Sequence, residues 1–99
     1  MYLVVFRNRK RADLDGAAYA AAATRMEELA RACPGFVSFK SFTADDGEVV
    51  AISEWESEEA ARAWGRDAEH AEVQAKGRAE WYAEYVLQGG EMTRIHRFP

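Results

Sequence analysis

Hydrophobic and polar positions along the chain divide it into alternating β and α segments. Tyr2 to Asn8 is β-branched and aromatic with no helical period, and predicts a strand. Asp13 or Asp15 then offers a cap for a helix reaching about Cys33. Its apolar stripe is Tyr19, Ala22, Met26, Leu29 and Cys33, at spacings of three and four. Pro34-Gly35 stops that helix. Phe36 to Thr43 predicts a second strand, Asp45-Asp46-Gly47 a turn, and Glu48 to Glu56 the strand that closes a hairpin. Ser57 before Glu58 and Glu59 is a helix start: a capping hydroxyl, then carboxylates in the positive first turn. The apolar pattern carries that helix to about Arg78 or beyond. The tail from Tyr82 to Phe98 holds a last strand, with Gly89-Gly90 as its weak point.

The order β-α-β-β-α-β predicts one α+β domain over residues 1–99. The expected fold is ferredoxin-like, a four-stranded antiparallel sheet with both helices on one face. The strands are apolar on both faces. Strict alternation puts Tyr2, Val4 and Phe6 opposite Leu3 and Val5, and Val49, Ala51 and Trp55 opposite Val50 and Ile52. It puts Phe36 and Phe42 opposite Val37 and Phe39. Two helices cover one face, and a solvated second face would read polar. A second copy of the sheet is the simplest cover, so a homodimer is expected.

Charge narrows the partners. A net charge of −4 argues against nucleic acid or an anionic membrane as the main ligand. The basic run Arg7, Arg9, Lys10, Arg11 reads as a solvated strand exit. No segment approaches the roughly 20 apolar residues of a membrane helix. The single cysteine, Cys33, excludes an intrachain disulfide, fits a cytoplasmic location, and is expected to be a buried structural thiol.

Candidate chemistry concentrates in the second helix. At about 100° per residue, Ala60, Trp64, Ala68, Ala71, Ala75 and Tyr82 share one arc, the core seam. Asp67, His70, Gln74, Gly77 and Trp81 lie on its flank, where a pocket between helix and sheet would be lined. An amphipathic helix carries polar residues on its flanks in any case. A surface pair Asp67–His70 and a core-filling Trp64 therefore fit the same pattern. A continuous helix would set His70 about 120° from Trp64. His96, near the end of the chain, reads as a last-strand or interface residue.

The segment Ile52-Ser53-Glu54-Trp55-Glu56-Ser57-Glu58-Glu59-Ala60, with Ala63-Trp64, Glu69-His70, Gln74, Gly77 and Trp81-Tyr82 beyond it, resembles the antibiotic biosynthesis monooxygenase family. That resemblance implies a dimeric α+β barrel. It also implies one of three functions. The first is a cofactor-independent monooxygenase oxidising a quinol- or anthrone-like aromatic with dioxygen. Here His70 would be the base, Asn8 an oxyanion donor and Trp64 a ring wall, with Asp67, Gln74 and Trp81 contacting substrate and no metal or cofactor. The second is a non-catalytic or small-ligand-binding barrel. The third is a heme-degrading enzyme, whose branch uses an Asn late in the first strand, a Trp on the second helix and an iron-ligating His beyond it. Asn8 and Trp64 match that set, but the third position falls near Gln74, with His70 one turn early. Arg78, at the helix end, reads either as a solvated arginine or as a counter-charge to a phenolate.

Overall fold

The computed structural model describes residues 1–99, except the side chain of Ala68. Its elements are β1 (Tyr2–Lys10), α1 (Gly16–Ala32), β2 (Phe36–Thr43), β3 (Val49–Trp55), α2 (Glu58–Arg66), α3 (Ala68–Lys76) and β4 (Tyr82–Glu91). A single π-helical turn, Gly77–Trp81, joins α3 to β4. The strands form one antiparallel sheet in the order β2-β3-β1-β4. This is the ferredoxin-like α+β arrangement, with all helices on one face.

Side-chain caps set the helix starts. The Asp15 carboxylate accepts from the Ala18 N–H at 3.0 Å and the Ser57 hydroxyl from the Ala60 N–H at 3.1 Å. Gly35, at φ +83°, turns the chain from α1 into β2. A Cβ there would lie 2.5 Å from the Cβ of Ala60, so this turn lets α2 dock closely.

The second helical region is not the single helix that its periodicity predicts. Asp67 (φ −53°, ψ 132°) leaves the helical region, and its carboxylate accepts the N–H groups of Glu69 and His70, each at 3.1 Å. A side chain that can satisfy the first donors of a new helix makes the break affordable. The continuous seam from Ala60 to Tyr82 is therefore interrupted. The expected seam position of Ala68 lies outside the described residues, and Tyr82 starts β4 instead of ending a helix. β4 runs through Gly89-Gly90 without interruption and stops at Glu91. His96 lies beyond it in an exposed segment without regular structure.

Two bulges also override strict alternation. Between Phe36 and Ser38 the register of β2 on β3 shifts by one residue. Phe36 thereby joins Phe39 on the helix-facing side, and Phe42 points away, 50% exposed. On β4, Arg9 pairs with Glu84 and Lys10 with Tyr82, so Ala83 is the extra residue. That shift brings Tyr82 and Tyr85 to one face, with rings 5.8 Å apart.

Among the described residues Ala30, Trp55 and Trp81 are buried, with Gly77 and the polar Asn8. Cys33 caps the end of α1 and is half-buried, not buried as expected. Burial pushes its thiol pKa up, with the charge of Asp67 adding to the shift. Of the basic run, Arg7 pairs with Glu48, Arg9 with Asp46 and Glu84, and Arg11 with Asp13. Among the described residues no helix is long and apolar enough to cross a membrane.

Candidate active site

Helices and sheet do not close on each other. Between them lies a cavity of about 500 Å³. The sheet supplies Val4, Phe6, Asn8, Phe39 and Ala51 to its wall, and α1 supplies Tyr19 and Met26. The broken second region supplies Trp64, His70, Gln74, Arg78 and Trp81. At the β4 edge Tyr85 and Leu87 line the cavity yet are 42% and 58% exposed, which places an opening there.

One wall is a stack of rings. Trp55 lies in the sheet, 1% exposed, with its indole N–H donating to the Ser53 hydroxyl at 3.0 Å and the edge of Phe36 against it. Trp64 stacks over Trp55 at 6.4 Å, and His70 over Trp64 at 4.1 Å with planes only 13° apart. The reading that set His70 about 120° round a straight helix from Trp64 is thus corrected. The break at Asp67 redirects the chain and folds His70 back over the indole.

His70 Nδ1 lies 3.0 Å from the Trp64 carbonyl oxygen. A carbonyl only accepts, so Nδ1 carries the proton, and in the neutral ring Nε2 is a free acceptor. Burial lowers the pKa of His70, partly opposed by that hydrogen bond and by the charge of Asp67. The imidazole is therefore neutral around pH 7 and able to take a proton.

Opposite the stack is an aromatic cluster. Phe6 packs against Tyr82 and Tyr85, each at 5.4 Å, and Tyr19 meets Trp81 edge-on at 5.4 Å. Burial first, then the neighbouring tyrosines, push the Tyr82 phenol far above its ordinary range, so it stays protonated. Gly77 opens the π-turn toward this cluster: a Cβ there would stand 2.6 Å from the Tyr82 ring. Asn8, 3% exposed, accepts from Lys10 Nζ at 2.6 Å through its amide oxygen.

Asn8, Trp64, His70, Gln74, Trp81 and Arg78 thus line one cavity. Asp67 does not: its exposed carboxylate is occupied as the cap of α3, which corrects its placement among the substrate contacts. Gln74 lines the wall, and among the described residues no group of three or more His, Cys, Asp and Glu could hold a metal ion. Sequence reasoning missed Phe6, Tyr19, Tyr85 and Lys10. Tyr19 reads as a core position of the α1 stripe. Lys10 is hidden in a basic run, although its two-residue spacing from Asn8 puts both on one strand face.

Comparison with known proteins places this architecture. The chain is 33% identical over 97 residues to the uncharacterized protein YqjZ of Bacillus subtilis, covering 98% of this chain and 83% of that one. It shares its fold with Rv0793 from Mycobacterium tuberculosis (TM-score 0.82, 18% identity, 97% and 98% of the two chains). SnoaB, a cofactor-independent oxygenase from Streptomyces nogalater, matches with a TM-score of 0.78 at 18% identity over 95% and 94% of the chains. The family model for antibiotic biosynthesis monooxygenases matches residues 1–76, and with the YqjZ relationship this shows that the chain belongs to the antibiotic biosynthesis monooxygenase family.

Proposed function

We propose that the protein is a cofactor-independent monooxygenase that oxidises an electron-rich phenol or anthrone with dioxygen. The observation that carries this reading is His70, with Nδ1 3.0 Å from the Trp64 carbonyl oxygen and Nε2 without a hydrogen-bond partner among the described residues, in one aromatic cavity with Asn8 and Trp64.

His70 Nε2 takes the acidic proton of the substrate. The resulting anion is rich enough in electrons to pass one to dioxygen, giving a substrate radical and superoxide. These combine into a peroxide anion, which takes the proton back from His70 and then loses water to leave the quinone. An anthrone plus one dioxygen gives an anthraquinone plus one water. The protein stabilises the anion through the amide N–H of Asn8, holds the ring between Trp64 and the tyrosine cluster, and excludes bulk water. Gln74 and Trp81 contact the ring system, and Arg78 faces its anionic end. No redox group is required, because the substrate is the electron donor.

The test is oxygen uptake with a panel of quinols and anthrones, run beside a hemin titration. Uptake above the autoxidation rate with at least one member, and weak hemin binding, supports the reading. No uptake with any member favours a ligand-binding barrel. A tight Soret-band titration that His70→Ala abolishes would favour heme chemistry instead.

The assembly is a homodimer through the sheet face opposite the helices. Leu3, Val5, Val50 and Ile52 on that face are only partly covered, and Phe42 and Val86 are 50% and 46% exposed. An apolar surface of this kind fits a second copy. Sedimentation is expected to give a dimer at micromolar concentration, and Val50→Glu, which points away from the helices, a monomer or aggregate. A wild-type monomer would refute the dimer.

A further inference from the structure

Lys10 differs from the other basic residues around it. Arg7, Arg9 and Arg11 each pair with a carboxylate, whereas among the described residues no carboxylate lies within 4 Å of the Lys10 ammonium. That ammonium is half-buried behind Asn8, 4.7 Å from the centre of the Tyr19 ring and 5.6 Å from that of Tyr82. The bulge at Ala83 is what sets Tyr82 opposite Lys10.

An ammonium has three donors and no acceptor, so the group it meets on Asn8 has to be the amide oxygen, here at 2.6 Å. The rest of the orientation follows. With Oδ1 held by Lys10, the Nδ2 donors turn the other way. They have no protein partner, yet no buried side-chain nitrogen or oxygen is left unsatisfied among the described residues. Nδ2 is therefore open to the cavity that Asn8 lines. The positive charge also polarises the amide, strengthening the bond its N–H gives to an acceptor.

We infer that Lys10 is a positioning residue: it fixes the Asn8 amide with N–H toward the cavity and lends it charge, so the site selects an aromatic ligand in its oxyanion form. This rests on Asn8 as the oxyanion donor of the proposed activity.

The test uses two ligands of the same ring, para-nitrophenolate and para-nitroanisole, whose methyl ether removes the anionic oxygen. Neither needs to be oxidised, so the outcome is separate from oxygen uptake. If uptake fails and the ligand preference holds, Lys10 keeps its role and the activity is lost from the account. Wild type is expected to prefer the phenolate. Lys10→Met is expected to weaken phenolate binding roughly tenfold and leave anisole binding within about twofold, the latter also reporting an intact cavity. Lys10→Arg, which keeps charge and donors, should retain most of the preference. Asn8→Ala should lose as much as Lys10→Met, and the double variant no more than either. No phenolate preference in wild type, a preference retained in Lys10→Met, or losses that multiply would overturn the inference. A Lys10→Met or Lys10→Gln variant that loses both ligands alike would also overturn it, leaving Lys10 only structural support.

Discussion

The two helical regions that roof the sheet are built on different terms. α1 is an alanine-rich helix that runs unbroken for 17 residues, from the Asp15 cap to Cys33. The second region spreads a longer run, Glu58 to Trp81, over α2, a break at Asp67, α3 and a π-turn. Both contribute to the cavity, but α1 supplies mainly wall, while the broken region supplies Trp64, His70, Gln74, Arg78 and Trp81. Irregular backbone is where the site was made. A straight helix would turn His70 away from Trp64. The break stacks the two rings, and the π-turn swings Trp81 and Tyr82 onto Tyr19.

The sharpest way to break this comparison is His70→Ala. Loss of the base is expected to slow turnover by roughly 10²–10⁴-fold, while the circular dichroism spectrum stays that of the wild type. A change of less than threefold (about 0.7 kcal/mol) would remove His70 from the chemistry.

A second pair of variants separates cap stability from site geometry. Asp67→Ala and Asp15→Ala each delete one N-cap and should each cost about 1 kcal/mol in a denaturant melt. Only Asp67→Ala should also lower oxygen uptake, by roughly 10²-fold, because it releases the break that sets His70 on Trp64. Equal activity in the two variants would show that the break is incidental.

Glycine substitutions repeat the contrast at smaller scale. Gly77→Ala forces the Tyr82 ring to move and should cost about 1–3 kcal/mol. Gly16→Ala meets nothing within 4 Å and should leave stability unchanged or slightly raised.

The smallest effect is in pH. Because the pKa of folded His70 is below its unfolded value, the neutral ring contributes stability that is present above about pH 6.5. That contribution is lost as pH falls through the folded value. His70→Gln should flatten this part of the stability curve, measured as the difference from wild type.

The same contrast explains what the sequence made legible. Strand order, the α1 stripe and the Ser57 start follow local rules, and each was readable. So was the presence of Asn8, Trp64 and His70 near one another, through family resemblance and not through periodicity. The break at Asp67 was not readable, because its flanking residues keep a helical apolar period on both sides. A capping Asp inside such a run signals a break only once the fold shows what it caps. The bulges near Val37 and Ala83 escaped for a related reason: alternation assumes every residue is paired, and one skipped residue reverses every side chain after it. That is why Phe36 and Tyr82 sit on faces that counting alone did not give.

The measurement closest to the central claim is the stoichiometry of oxygen consumption by metal-stripped protein turning over its best quinol or anthrone. Monooxygenation driven by the substrate's own electrons predicts one dioxygen consumed per quinone formed, no hydrogen peroxide released, and loss of the signal in His70→Ala. Hydrogen peroxide accumulating in equal amount to quinone, or uptake no faster than in protein-free buffer, would contradict it.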